Sequence, residues 1–238
     1  KTFIEFGVEN YQEANTRFLL HNDNWRGLIF DGSQMNIDFI RAQNYFAYYG
    51  LEAKQLFVTR ENINEEIRQS GFSGEIGILH IDIDGNDYWV WEAIEAVNPI
   101  IAIMEINAYF GNEKAISISY QADFFRTSAH HSNLYFGASL KAFCHLAEQK
   151  GYVFIGCTSS GNNAYFVRKD KVDPVSDLIT TAEAGYVRSN SREHRDDAGN
   201  LTFRDGYEAR MELNGLPVIN VETREEELLN FLPSDMVK

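Results

Sequence analysis

The feature of this chain that most constrains its fold is an alternation. Short apolar runs, each ending in a polar residue, are separated by amphipathic segments of helical length. "TFIEF", "GLIFD", "AKQLFVT", "IGILHIDID" and "PIIAIMEIN" read as strands, with "EANTRFLLHND", "NIDFIRAQNYFAYYG", "NINEEIRQSG" and "NDYWVWEAIEAV" as the helices between them. Strands joined through helices run parallel, and a parallel sheet is covered on both faces. The second of these helices should stop at Gly50 in the left-handed conformation, and the third should be capped by Asn62 or Asn64.

Farther on, "ASLKAFCHLAEQKG" is a long amphipathic helix, and "SSGNN" joins "YVFIGCT" to "AYFVRKD". A link that short cannot make a crossover, so this last pair is antiparallel. The expected fold is α/β: a Rossmann-like seven-stranded sheet, mostly parallel with an antiparallel terminal hairpin, helices on both faces, and a C-terminal extension. Residues 1–170 would form the main domain and 171–238 an acidic extension packed on its core. In that extension "RSNSREHRDDAGNLTFRDG" reads as an exposed loop, "LPVINVET" as a short strand and "REEELLNFL" as a helix.

With 21 basic and 35 acidic residues the net charge is -14, which argues against gripping nucleic acid or an anionic membrane through the general surface. No apolar stretch approaches the roughly 20 residues that span a bilayer, and the N-terminus lacks a basic-then-apolar signal pattern, so the expected compartment is the cytoplasm. Cys144 and Cys157 show no C-x-x-C or metal spacing and read as buried, unpaired small hydrophobes.

In open parallel sheets ligands bind beyond the carboxyl ends of the strands. The residues at those ends are Glu5 and Gly7, Asp31 with Gly32 and Ser33, Thr59 to Asn62, Asp82 with Asp84, and Glu105 with Asn107. "FIEFGVEN" is a glycine turn but not G-x-G-x-x-G, because Glu9 and Tyr11 stand where the later glycines would be; Glu9 would also repel a pyrophosphate. Asp31 is placed to accept hydrogen bonds from both hydroxyls of a ribose, or serves simply as a turn aspartate.

His80, Asp82 and Asp84 alternate, as do Glu105 and Asn107, so these oxygen-bearing side chains would converge at neighbouring strand ends. Two readings follow: a hard cation such as Mg²⁺ held by Asp82 and Glu105, or direct hydrogen bonding to cofactor and substrate. Asp87 reads more plainly as the cap of the next helix. In "TSAHHSNLYFG", His130 and His131 are candidate proton acceptors, with Asn133 and Tyr135 weaker ones. Trp89 and Trp91 read first as packing residues.

Taken together, "FIEFGVEN", "GLIFDGS", "HIDIDGNDYWVWEAI", "IIAIMEINAYFG", "YFGASLKAF" and "GYVFIGCTSSGNNAYFVR" resemble bacterial class I S-adenosylmethionine-dependent methyltransferase-like proteins, of the FkbM type and other sugar or natural-product methyltransferases of surface-polysaccharide clusters. The likeness covers about residues 1 to 170. It implies S-adenosylmethionine as cofactor, with the turn from Glu5 through Gly7 to Glu9 facing the methionine part. Asp31 with Gly32 and Ser33 would face the ribose, Arg60, Glu61 and Asn62 the adenine, and Asp82 or Asp84 would lie beside the methyl donor. In metal-dependent members the Mg²⁺ ligands would correspond to Asp82 and Glu105. The implied activity is O-methylation of a small-molecule acceptor, a saccharide or related compound, with His130, His131 and Asp84 as catalytic candidates and a homo-oligomer as a further expectation. The alternative is a catalytically silent module of the same fold that binds a metabolite or a partner protein.

Overall fold

The computed structural model describes residues 1–232. It divides into two compact units: Lys1–Ile83 with Trp89–Met104, and Asp84–Tyr88 with the chain from Glu105 onward. In the first lie β1 (Thr2–Phe6), α1 (Arg17–Asp23), β2 (Arg26–Asp31), α2 (Gln34–Arg41), α3 (Asn44–Tyr48), β3 (Leu51–Gln55), α4 (Ile63–Gln69), β4 (Gly74–Ile81), and most of α5 (Asp87–Ala93) and β5 (Val97–Glu105). Its strands pair in parallel, β2 with β1 and β3, and β4 with β1 and β5. The apolar alternation is what buries them: Phe3, Ile29, Leu51 and Ala53 from the strands meet Leu20, Ile37 and Ile40 from the helices. Trp89 and Trp91 are both buried, which bears out their reading as packing residues.

The second unit contains β6 (Ile116–Ser117), α6 (Arg126–Ala129), α7 (Leu140–Lys150), β7 (Tyr152–Cys157), β8 (Asn163–Arg168), α8 (Ala182–Gly185), α9 (Gly206–Ala209), β9 (Pro217–Asn220) and β10 (Glu226–Leu228). Ser139 caps α7 by accepting the Ala142 N–H, and Gly151 ends it at φ 83°. β7 and β8 are antiparallel, as the short turn between them requires. The large sheet has the seven strands expected, in the order β3-β2-β1-β4-β5-β8-β7, with helices around it; a second sheet runs β10-β9-β6. Among the described residues no helix is long and apolar enough to cross a membrane.

Several local expectations are corrected. The helix expected to end at Gly50 is two helices, because Gln43 turns extended at ψ 144°. Gly50 is not among the residues with positive φ; its carbonyl takes the Gly27 N–H at 2.8 Å, so the link into β3 is drawn straight by pairing. Asn62 occupies the N-cap position of α4 but makes no side-chain cap bond, and Asn64 instead holds the Ala93 carbonyl and the Glu95 and Ala96 amides.

"REEELLNFL" is not a helix. Its first part is β10, paired antiparallel to β9 across a turn with Arg224 at φ 65°, and Glu227 reaches Lys114 and Asn220. Tyr109, Phe110, Ile116, Phe124, Leu134 and Phe136 share one core with Tyr207, Leu213, Val218 and Phe231, so the extension completes this unit.

Candidate functional site

The site in the first unit starts from Gly7, where β1 stops at φ +69°. A Cβ there would lie 1.6 Å from the Asp82 carbonyl oxygen, so only glycine lets β1 and the end of β4 approach this closely. Glu9 at φ 46° and Tyr11 at φ 61° then hold left-handed backbone conformations. These are the two positions where glycines were missing from the sequence motif. The turn keeps a glycine-like backbone path with ordinary side chains, and such strain persists where surroundings enforce it.

Those surroundings are visible. Tyr11 is fully buried with its hydroxyl 3.0 Å from Thr16 Oγ1. Glu5, 1% exposed, accepts the Asn15 N–H at 2.9 Å, the Thr16 N–H at 3.1 Å and the Thr16 hydroxyl. The oxygen that accepts the Asn15 N–H also lies 2.7 Å from His80 Nδ1. Burial alone would raise the Glu5 carboxyl, but His80 and Thr16 outweigh it and hold it below the usual value. Glu5 therefore faces the inside of the turn that it organises.

Asp31, at the tip of β2, accepts the Glu9 N–H on Oδ2 at 2.8 Å, and the Ser33 N–H and Asn36 Nδ2 on Oδ1 at 2.8 and 2.9 Å. A carboxylate offers about four acceptor positions, so one remains, on Oδ2. Ser33 caps α2 by accepting the Asn36 N–H. After β3, Asn62 accepts the Thr59 N–H and donates to the Phe57 carbonyl, shaping a loop that leaves Phe57 44% exposed beside Gly32. Sequence reading passed over Phe57, which lies in an apolar run. Glu61 sits at the surface against Arg60 at 2.9 Å.

In the second unit Asp84 adopts φ 56°, and its Oδ1 lies 2.5 Å from Arg126 Nη1. The strand ends at Ile81, so the alternation that would have aligned His80, Asp82 and Asp84 does not continue. Arg126 also pairs with Glu193, donates to the Asn133 carbonyl, and lies over the Phe136 ring at 3.7 Å. Burial disfavours its charge, yet Glu105, Asp84 and Glu193 outweigh that and keep it charged.

The Arg126 guanidinium thus lies within the electrostatic reach of Glu105. Asn107 is fully engaged, donating to the Leu134 and Phe136 carbonyls and accepting the Tyr109 N–H. Among the described residues no group of three or more His, Cys, Asp or Glu could hold a metal ion. Arg126, an isolated arginine in a polar loop, gave no signal in the sequence.

His130 and His131 lie side by side, ring centroids 4.2 Å apart. His131 Nε2 is 3.3 Å from Glu212 and 3.4 Å from Asp197, both from the extension. His194, 2% exposed within the supposed exposed loop, also meets Glu212 at 3.0 Å. Arg204 holds the other Glu212 oxygen at 2.5 Å. Although desolvation opposes it, bonding to His194, Arg204 and His131 brings the Glu212 carboxyl down to about 2. Tyr135 is tied to the Pro217 carbonyl. Cys144 and Cys157 are free thiols, half-buried, and raised by burial to about 12 and about 11.

A group with a depressed folded-state value stabilises above its ordinary value and loses that contribution as pH falls. The Glu212 latch should therefore be intact above pH 4.5 and weaken toward pH 2. Hydrogen exchange at the Arg195 and Thr202 amides, which bond to Ser132 and His194, should accelerate across that window relative to β2. Equal acceleration in both places would contradict the latch.

The strand order and the turn after β1 together decide the architecture. It is a Rossmann-like sheet of seven strands, mostly parallel with one antiparallel pair. No family model matches the chain, and no curated protein sequence matches it. Solved structures do. An O-methyltransferase from Bacillus cereus in complex with SAH is 13% identical with a TM-score of 0.44, covering 70% of this chain and 74% of that one. The N-terminal domain of EvdMO1, solved with SAH and D-fucose, is 10% identical with a TM-score of 0.44 over 70% and 74%. The ribosomal protein L11 methylase of Lactobacillus delbrueckii subsp. bulgaricus is 11% identical with a TM-score of 0.39 over 71% and 70%.

Proposed function

We propose that this chain is an S-adenosylmethionine-dependent methyltransferase acting on an oxygen of a sugar or related small molecule in surface-polysaccharide or natural-product assembly. The observation that carries the reading is the turn after β1: Gly7, Glu9 and Tyr11 hold the left-handed path, and Asp31, beside it, retains a free acceptor position on Oδ2. These residues fit the cofactor. The Gly7–Glu9 backbone would hold the methionine portion, Asp31 would accept a ribose hydroxyl, and Phe57 is the ring available to adenine. When bound, S-adenosylmethionine supplies an electrophilic methyl carbon whose release leaves a neutral thioether. The sugar acceptor rests on the sequence resemblance alone.

Around this, the protein's own residues do the positioning. Glu5, Thr16 and His80 fix the turn, and Glu9 and Ser33 amides fix Asp31. Preorganised groups of this kind lower the cost of ordering a ligand.

Calorimetry of the whole chain with S-adenosylmethionine and with SAH tests the reading. Binding is expected, and Asp31→Ala should weaken it by roughly 10- to 100-fold, the loss of about one hydrogen bond to a charged group. No binding by the parent protein would favour the silent module. Incubation with S-adenosylmethionine and a panel of free and nucleotide-linked hexoses should then release SAH and add one methyl group to an acceptor.

A further inference from the structure

Within the second unit, residues 186–205 connect α8 to α9 with no helix and no strand beyond a single bridge. Connections that long are uncommon in compact proteins and usually functional. The middle of this one is bonded to itself. The Arg195–Leu201 bridge closes it, and Asp196 Oδ1 accepts the Ala198 and Asn200 amides. The Asp196 N–H reaches the Asn200 carbonyl and the Thr202 N–H the His194 carbonyl, each at 3.0 Å. The His194 ring adds a bond to the Thr202 hydroxyl at 2.6 Å. Residues 193–202 therefore form a small body with its own hydrogen bonds.

Its ties to the rest of the unit are of another kind. Glu193 pairs with Arg126, the Arg195 N–H donates to the Ser132 carbonyl at 3.1 Å, Asp197 lies 3.4 Å from His131, and His194 meets Glu212 at 3.0 Å. All of these are polar. Leu201 and Phe203, the large apolar side chains of the stretch, are 43% and 63% exposed, so neither anchors it by burial. Ion pairs with an exposed partner contribute little and are screened by salt, and a segment with few buried apolar contacts opens locally at low cost.

Two features oppose the docked position. Phe203, where the body rejoins the chain, holds φ 56°, a costly conformation for a bulky side chain. Asn133, next to the docking point at Ser132, buries its Oδ1 with no hydrogen-bond partner among the described residues, which is unfavourable. The flanks, by contrast, are fixed. The Tyr109 hydroxyl donates to the Ser191 carbonyl at 2.8 Å on one side, and Asp205 caps α9 on the other by accepting the Tyr207 N–H at 2.8 Å.

We propose that residues 193–202 are a flap that lifts off the 130–133 loop as one body, hinged at Arg192 and Phe203, with the Glu193–Arg126 pair as its clasp. Lifting uncovers the Arg126 guanidinium, the Ser132 backbone and the Asn133 amide, a polar surface that the docked flap covers. The flap lies wholly within the second unit and is independent of the methyl-transfer reading.

Residue-resolved hydrogen exchange of the full chain at neutral pH tests this. The Arg195 amide, whose partner lies outside the flap, should exchange through a local opening, roughly 10-fold or more faster than the β8 amides after correction for intrinsic rates. The Asp196 and Thr202 amides, whose partners travel with them, should stay protected during that opening. Glu193→Gln, at a half-exposed side chain, should speed Arg195 exchange by about fivefold. Raising sodium chloride from about 0.05 M to about 0.5 M should act in the same direction, with α7 and β8 unchanged. Arg195 exchanging only together with the β8 amides makes the segment part of the fixed fold and overturns the proposal. So does an opening that releases Asp196 and Thr202 along with Arg195, which is unravelling, or one that neither Glu193→Gln nor salt alters.

Discussion

Glu5→Ala should unfold the first unit more readily than any other single side-chain truncation there. The carboxylate accepts two amides, one hydroxyl and one imidazole in a site that is 1% exposed. Removing it strands His80, itself 3% exposed, together with the Asn15 and Thr16 N–H groups. Breaking a buried pair in this way costs about 3–5 kcal/mol. For a chain of this length that corresponds to a melting-temperature drop of roughly 10 °C. Glu5→Gln, which keeps shape and part of the bonding, should cost less.

A double-mutant cycle with His80→Ala should show the two losses to be strongly non-additive. Additive losses would mean that the pair is incidental. Because the Glu5 carboxyl is held below its ordinary value, the stabilisation is present above pH 4.5 and fades as pH falls, so the Glu5→Ala deficit should shrink in acid.

Gly7→Ala should be about as damaging, for a different reason. The residue sits at φ +69°, where a Cβ costs about 1–2 kcal/mol by itself. The added carbon would fall 1.6 Å from the Asp82 oxygen, so the β1 end and the segment after β4 must separate. Overpacking of this kind adds about 1–3 kcal/mol. The turn that carries Glu9 would shift with it, so SAH binding should be lost even where the variant folds. Gly71→Ala is the control: also at positive φ, it has nothing within 4 Å of the added Cβ, and it should pay only the backbone cost and keep binding. A Gly7→Ala protein with parental stability and affinity would refute the account of the turn.

The sheet was legible because burial on two faces forces continuous apolar runs such as "FIEF", "GLIF" and "IIAIM". The polar tips were legible too, since each apolar run stops at a polar residue such as Asp31. What these residues do was less so. Glu5 looked like a ligand contact, and its inward turn toward His80 depends on residues 75 positions apart.

The "REEELLNFL" error has a similar source. Three consecutive glutamates favour a helix locally, but Asn220 caps the turn before them through the Glu222 and Thr223 amides, and Lys114 draws Glu227 across. The positive charge beside Asp84 comes from Arg126, remote in sequence, so it could not be read from the local pattern. His194 was hidden in a polar stretch whose composition resembles any exposed loop.

The most direct measurement is a crystal structure of the full chain with SAH. The account predicts the ribose hydroxyl on Asp31 Oδ2 and the amino-acid portion against the Gly7–Glu9 backbone. A nucleoside bound elsewhere, with Asp31 bonded only to Glu9, Ser33 and Asn36, would contradict it.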